Sequence, residues 1–151
     1  MKNELFKINT DILDEYIEYE KINENWDIFS YLNLKGNIDL AIAFSKLYYP
    51  NIIKYNDLYF LESRFSENSY NLWKEELKND VKSIEKMVNL YEVKDYFHIN
   101  SDNDDYQKNE ELSEILKVCW ENNLKQLFAD VKFQVELIKE DDTIYITFYQ
   151  I

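Results

Sequence analysis

The chain has 151 residues, and its thirty Asp and Glu outnumber its seventeen Lys and Arg, which gives a formal net charge of −13. Hydrophobic residues make up 46% of the chain and aromatic residues 17%, which is enough apolar surface to offset the entropy of ordering, so intrinsic disorder is excluded. The single glycine, Gly36, excludes phosphate-binding loops and dinucleotide fingerprints, because both need several glycines in a short span.

The first predicted elements are helical. Thr10 or Asp11 can cap a helix over about 11–22, and the apolar but aperiodic residues 23–36 predict a loop or a short helical turn. The segment 38–48 is apolar nearly all round a helical wheel, so we expect it to be the most buried helix, ended by Pro50.

Two apolar runs, 52–55 and 58–61, are joined by Asn56 and Asp57, which tolerate positive φ, and this pattern predicts a β-hairpin. Two short helices should follow. The first is capped by Ser66 or Ser69, and its apolar stripe consists of Tyr70, Trp73 and Leu77. The second follows Asn79-Asp80, and its apolar stripe consists of Val81, Ile84, Val88 and Tyr91.

The C-terminal third begins with an exposed acidic loop over 101–109, followed by the longest predicted helix, 110–128. The inner side of that helix is predicted to carry Leu112, Ile115, Leu116, Cys119, Trp120, Leu124, Leu127 and Phe128. Alternating residues over 131–137 and 144–149, separated by Asp141-Asp142, predict a C-terminal hairpin. The whole pattern predicts one α+β domain over 1–151, with several helices packed on a small, mainly antiparallel sheet.

The distribution of charge restricts the partners. Residues 1–27 carry a net charge of −5, residues 28–99 carry −1, and residues 100–151 carry −7. A polyanion is repelled by such a chain, so we expect no direct contact with nucleic acid and none with a membrane. A cationic protein is the partner that the charge favours, and it would meet one of the two acidic ends.

Cys119 is the only cysteine, so no disulfide can form within one copy of the chain. The N-terminus has no apolar stretch of signal-peptide length, and the longest apolar run, Leu40–Phe44, is far too short to span a bilayer. We therefore expect a cytoplasmic protein.

Residues that could carry chemistry are few. His98 is the only histidine and is flanked by aromatics, which is typical of a packed edge residue, and Cys119 lies on the apolar side of its helix, where a thiol is inert. The acids from Asp102 onward resemble a calcium loop, but Gln107 and Ser113 stand where that loop needs glycine and glutamate. The sequence therefore predicts no enzyme activity, no catalytic residue, no metal and no cofactor.

A resemblance to a known family rests on apolar and turn positions. Several segments resemble small acidic bacterial immunity proteins of toxin–immunity (contact-dependent inhibition or polymorphic toxin) loci. They are the run from Ala43 to Pro50, the hairpin segments 53–57 and 59–61, Trp73, Ile84-Glu85, Asp95-Tyr96-Phe97 and the ending 146–150. The likeness covers about 40–150 and carries over no functional residue; it makes 1–36 a variable N-terminal extension packed on the body. It implies a non-enzymatic protein that neutralises a cognate toxin by binding it.

The predicted binding surface is the acidic loop and the helical turn after it. Its candidate residues are Asp102, Asp104, Asp105, Tyr106, Glu110 and Glu111. A rival surface on the first helix consists of Asp11, Asp14, Glu15 and Glu18. An alternative function for the same acidity is that of a phage or mobile-element protein that mimics the charge of nucleic acid and inhibits a host nuclease or regulator. The oligomeric state, the strand order and the identity of the partner stay open.

Overall fold

The chain divides into two units in the computed structural model, which describes residues 6–99 and 104–151. One unit ends at Ser45, and the other covers Lys46–Ile151. Each is described by itself below. The fold class is α+β, as the sequence predicts.

The N-terminal unit is helical. Helix α1 covers Asp14–Ile22, α2 covers Ile28–Lys35, and α3, Ile38–Tyr48, begins in this unit. The predicted cap of α1 is wrong, because Thr10 C=O accepts a hydrogen bond from Leu13 N–H in a turn that precedes the helix, and no side chain caps α1. The segment 23–36 is also more ordered than predicted, since Asp27 caps a helix of eight residues by accepting from Ser30 N–H at 2.8 Å.

Helix α3 differs most from its prediction. We expected the most buried helix, but none of its residues is buried, and Ile38 and Ile42 are 78% and 64% exposed. An apolar pattern all round a helix shows that burial would be favourable. The pattern does not specify what the helix packs against. Leu47 and Tyr48 at the end of α3 contact the core and are half-buried, whereas the preceding residues of the helix are exposed, so the prediction is wrong.

The larger unit starts with the predicted hairpin. Strand β1, Ile52–Tyr55, pairs antiparallel with β2, Leu58–Leu61. Asn56 and Asp57 have φ values of 49° and 62°, which is the backbone of a two-residue hairpin turn. This prediction is confirmed.

Two short helices follow, as predicted. Helix α4, Glu67–Glu76, is capped by Ser66, whose hydroxyl accepts from Ser69 N–H at 3.1 Å, and α5 covers Val81–Val88. Tyr91 does not extend the stripe of α5. It lies in a short strand β3, Tyr91–Glu92, which leads into a 3₁₀ helix over Val93–Phe97 that the sequence did not predict.

The C-terminal elements form the main core. Helix α6 covers Tyr106–Leu127, and strands β4, Phe133–Glu140, and β5, Thr143–Gln150, form the predicted hairpin. Strand β5 lies between β3 and β4 in an antiparallel three-stranded sheet. The sheet and helix residues that share this core are Leu116, Trp120, Leu124, Val135, Ile144, Ile146 and Phe148. Helix α6 therefore packs on the sheet as predicted, except that Leu127, expected inside, is 53% exposed.

Glu85 on α5 and Asn89, the residue that caps the C-terminal end of α5, form a polar clasp that joins β2 to β5, two strands of different sheets. The Glu85 carboxylate accepts from Tyr59 N–H of β2 and from both the backbone N–H and the side-chain amide of Gln150, each at 2.7 Å. Asn89 accepts from Leu61 N–H at 2.8 Å and donates to the carbonyls of Tyr59 and Phe148. Both clasp residues are fully buried, so these bonds satisfy strand groups that water does not reach.

Candidate functional site: an acidic surface

The start of α6 positions the predicted binding residues. Helix α6 begins at Tyr106, four residues earlier than expected, because the Asp105 carboxylate caps it by accepting from Lys108 N–H at 3.0 Å. Glu110 and Glu111 therefore lie in the second turn of the helix and not in the first. Asp104 is exposed just before the cap, whereas Asp102 lies outside the described residues.

Tyr106 contributes to the core as well as to the surface. Its ring is half-buried and packs against the residues between α6 and the sheet. The sequence predicts Tyr106 as one of the residues that contact a partner. The structure places only part of this side chain where a partner could reach it.

Lys139 of β4 contacts one predicted binding residue, Glu110, and one acid that was not predicted, Glu114. Its ammonium lies 2.8 Å from Glu110 and 3.6 Å from Glu114, one helical turn further along α6. The hydrogen bond to Glu110 raises the pKa of Lys139, and the negative charge of Glu114 adds to the shift. Sequence reasoning missed Glu114, although its spacing of four residues from Glu110 places both on one helix face.

Lys94, in the 3₁₀ helix, lies near acids from three other segments. Its ammonium lies 3.2 Å from Glu92 of β3. The pKa of Lys94 is raised first by the hydrogen bond to Glu92, and the negative charges of Asp142 and Asp104 raise it further. The β4–β5 turn, strand β3 and the residues before α6 are therefore close enough to share one electrostatic field.

We call this surface the acidic end. Its carboxylates are the six that lie near Lys94, Lys108 or Lys139, together with three of their chain neighbours. The six are Glu92, Asp104, Asp105, Glu110, Glu114 and Asp142, and the neighbours are Glu111, Glu140 and Asp141. Among the described residues, these nine are accompanied by three lysines, Lys94, Lys108 and Lys139. Most of these carboxylates lie on α6 and on the β4–β5 hairpin, which pack on the core. Their positions are therefore fixed, and together they produce a negative electrostatic potential in the solvent around them.

The rival surface, on α1 and just before it, also contains an acid that is already paired. Its four acids are all exposed, but the Glu15 carboxylate is paired with Lys35 and accepts from Tyr31 O–H at 2.9 Å. The hydrogen bond from Lys35 is the largest of the influences that lower the pKa of Glu15. At least one of the four acids is thus already used to join α1 to α2.

The two candidate groups for chemistry lie on different elements, since His98 follows the 3₁₀ helix and Cys119 is on α6. His98 is exposed, not packed as expected, and its Nδ1 lies 3.1 Å from the Asp95 carbonyl. Cys119 is half-buried, and burial raises the pKa of its thiol, which keeps it protonated and unreactive near neutral pH.

The part of the chain that the structure describes holds no group of three or more His, Cys, Asp or Glu side chains placed to bind a metal ion. No helix within residues 6–99 and 104–151 combines the length and apolar character needed to cross a bilayer. The geometry thus defines an α+β protein with an acidic surface. No family model, no curated protein and no solved structure matches the chain.

Proposed function

We propose that this chain is a non-enzymatic binding protein whose acidic end receives a cationic protein, and that it acts in the cytoplasm as an immunity protein that neutralises a toxin. The observation that carries the proposal is the convergence of carboxylates from β3, the start of α6 and the β4–β5 turn. A toxin that cuts or modifies nucleic acid needs a cationic cleft, and such a surface could cover that cleft.

The acidic end has the properties of a surface that accelerates association. Its charges act over about 8–10 Å at physiological salt, so they can steer a basic partner before contact. Because α6 and the β4–β5 hairpin are held by the core, little conformational entropy is lost when a partner docks. Both features favour fast and salt-sensitive binding.

The test is a comparison of charge-neutralised variants. The partner is first captured from the native host with the full-length chain and identified by mass spectrometry. The test variant is Asp104→Asn with Asp141→Asn and Asp142→Asn, which removes three exposed charges from the acidic end. The matched control removes three exposed acids from α4: Glu67→Gln, Glu75→Gln and Glu76→Gln.

We expect the test variant to associate with the captured protein at least about tenfold more slowly than wild type at low salt, and the control to bind normally. The deficit should shrink at high salt, because screening removes the field in wild type too. Wild-type association that is indifferent to salt, with both variants binding equally, would refute the proposal. Capture of a nuclease or regulator of the host itself would favour the charge-mimic alternative.

The non-enzymatic part of the proposal has its own test. His98→Ala and Cys119→Ser should each bind the captured protein within a few-fold of wild type. His98 is exposed and Cys119 is only half-buried, so neither change removes a major part of the core. Loss of binding or protection in a variant that keeps its wild-type circular dichroism would show that a reactive group is required.

A further inference from the structure

Strand β4 lies at the edge of the three-stranded sheet, with β5 as its one strand neighbour among the described residues. Gln150 N–H and Phe148 C=O of β5 bond to the polar clasp, so both groups point away from β4. Opposite residues of an antiparallel pair either bond each other or both face outward. The register therefore turns the backbone groups of four β4 residues away from β5: Phe133, Val135, Leu137 and Lys139.

This outer edge of β4 is open. Within residues 6–99 and 104–151, the one hydrogen bond that reaches its outward backbone groups runs from the Gln134 side-chain amide to the Val135 carbonyl at 3.0 Å. The eight residues of β4 pair with β5 without a bulge and include no proline, two features that commonly prevent further pairing. The edge is therefore a template for another strand.

A cavity of about 410 Å³ adjoins the start of β4. Phe133 and Gln134 line it from the strand, and Leu124 lines it from α6. Its charged side chains are Glu121, Lys125 and Lys132, which sum to +1 in a chain of −13. No carboxylate of the described residues lies within ion-pair distance of either lysine. Both lysines are thus available to acids from outside the chain.

The other end of β4 carries the opposite charge. Glu140 is the last residue of the strand, and Asp141 and Asp142 form the turn to β5; all three are exposed. When two copies of β4 lie antiparallel, the lysines at the start of each strand meet the acids at the end of the other. A strand from a cationic protein would be attracted at the acidic end alone, so the charges favour a second copy.

We propose that β4 pairs antiparallel with β4 of a second copy of this chain. A symmetric pair uses the same edge twice, and the two three-stranded sheets become one sheet of six strands. The register that charge favours is centred on Leu137, which lies opposite its own equivalent. It places Lys132 opposite Asp142 twice and leaves no like charges directly opposite each other. The turn of each copy then reaches the cavity of the other.

This inference does not rest on the proposed function, since the pairing of two copies needs no toxin. The two share Asp141 and Asp142, which belong to the acidic end as well. A cationic protein that docks on these acids would therefore compete with the second copy.

The experiment is sedimentation equilibrium of the full-length chain at about 100 μM and about 150 mM NaCl. Wild type should form a species of twice the 18.5 kDa chain mass. Lys132→Asp sets two carboxylates against each other and Asp142→Lys sets two ammonium groups, so each variant alone should dimerise at least about tenfold more weakly. An equimolar mixture of the two variants should regain the wild-type affinity, because opposite charges again face each other at both ends.

The matched control is Lys78→Asp, which makes the same change of charge at an exposed residue between α4 and α5 and should dimerise as wild type does. Circular dichroism shows whether each variant is folded. Hydrogen exchange followed by NMR gives a second readout within one strand. The outward amides of Leu137 and Lys139 should exchange at least about tenfold more slowly in wild type than in Lys132→Asp, whereas the inward amides of Glu136 and Ile138 should be protected in both.

Four outcomes would each overturn the proposal. They are a monomeric wild type, single variants that dimerise as wild type does, a mixture of the two variants that stays monomeric, and outward amides that become protected only when a cationic protein is added.

Discussion

Glu85→Gln should lower the free energy of unfolding by about 2–4 kcal/mol, although it changes only one oxygen to nitrogen. Every group that faces the Glu85 carboxylate is a donor: the backbone N–H of Tyr59 and of Gln150, and the Gln150 side-chain amide. A glutamine amide would turn its own N–H₂ toward at least one of them. That donor would then be buried without an acceptor, between two strands that are joined through this side chain.

Urea unfolding followed by circular dichroism measures the effect. Glu76→Gln is the matched control, since Glu76 is exposed on α4, and its free energy of unfolding should lie within about 0.5 kcal/mol of wild type. A Glu85→Gln protein as stable as this control would show that the carboxylate does not hold β2 to β5.

Burial raises the pKa of the Glu85 carboxyl above its ordinary value, and this outweighs the hydrogen bonds from Gln150 and Tyr59 that lower it. Burying the charged carboxylate therefore has a free-energy cost, and the three donors around it offset part of that cost.

Trp120→Ala should destabilise the chain by about 3–5 kcal/mol, the usual cost of removing a buried tryptophan. The side chain is 1% exposed, and its ring centre lies 6.3 Å from that of Phe148 in an edge-to-face arrangement. Its indole N–H also donates to the Leu47 carbonyl at 2.8 Å. The substitution thus leaves a cavity under the sheet and a carbonyl without its donor.

Leu127→Ala on the same helix is the control, because Leu127 is 53% exposed and its loss should cost less than about 1 kcal/mol. Both variants are compared by urea denaturation with the same linear extrapolation. Equal costs for the two changes would mean that α6 presents a different face to the sheet.

The sequence by itself determined the elements whose signals are local. The β1–β2 hairpin depends on Asn56 and Asp57, which adopt positive φ at low cost. The C-terminal hairpin was predicted from apolar residues at alternate positions, although Thr147 and Tyr149 of β5, expected on the other face, are buried as well. The α+β class follows from these patterns. The start of α6 was misplaced because Asp105 is one of several acids in a row, and only one of them can be the cap.

Tertiary structure decided the composition of the acidic end. Glu114 and Asp142 join the predicted acids through Lys139 and Lys94, and those lysines are far from them in sequence. Tertiary structure also decided which helix residues are buried. The burial of α6 and the exposure of α3 are settled by which elements pack together, whereas helical periodicity records only how much apolar surface a segment carries. A residue is buried only when two surfaces pack against each other, so the burial of a segment cannot be predicted from the sequence of that segment alone.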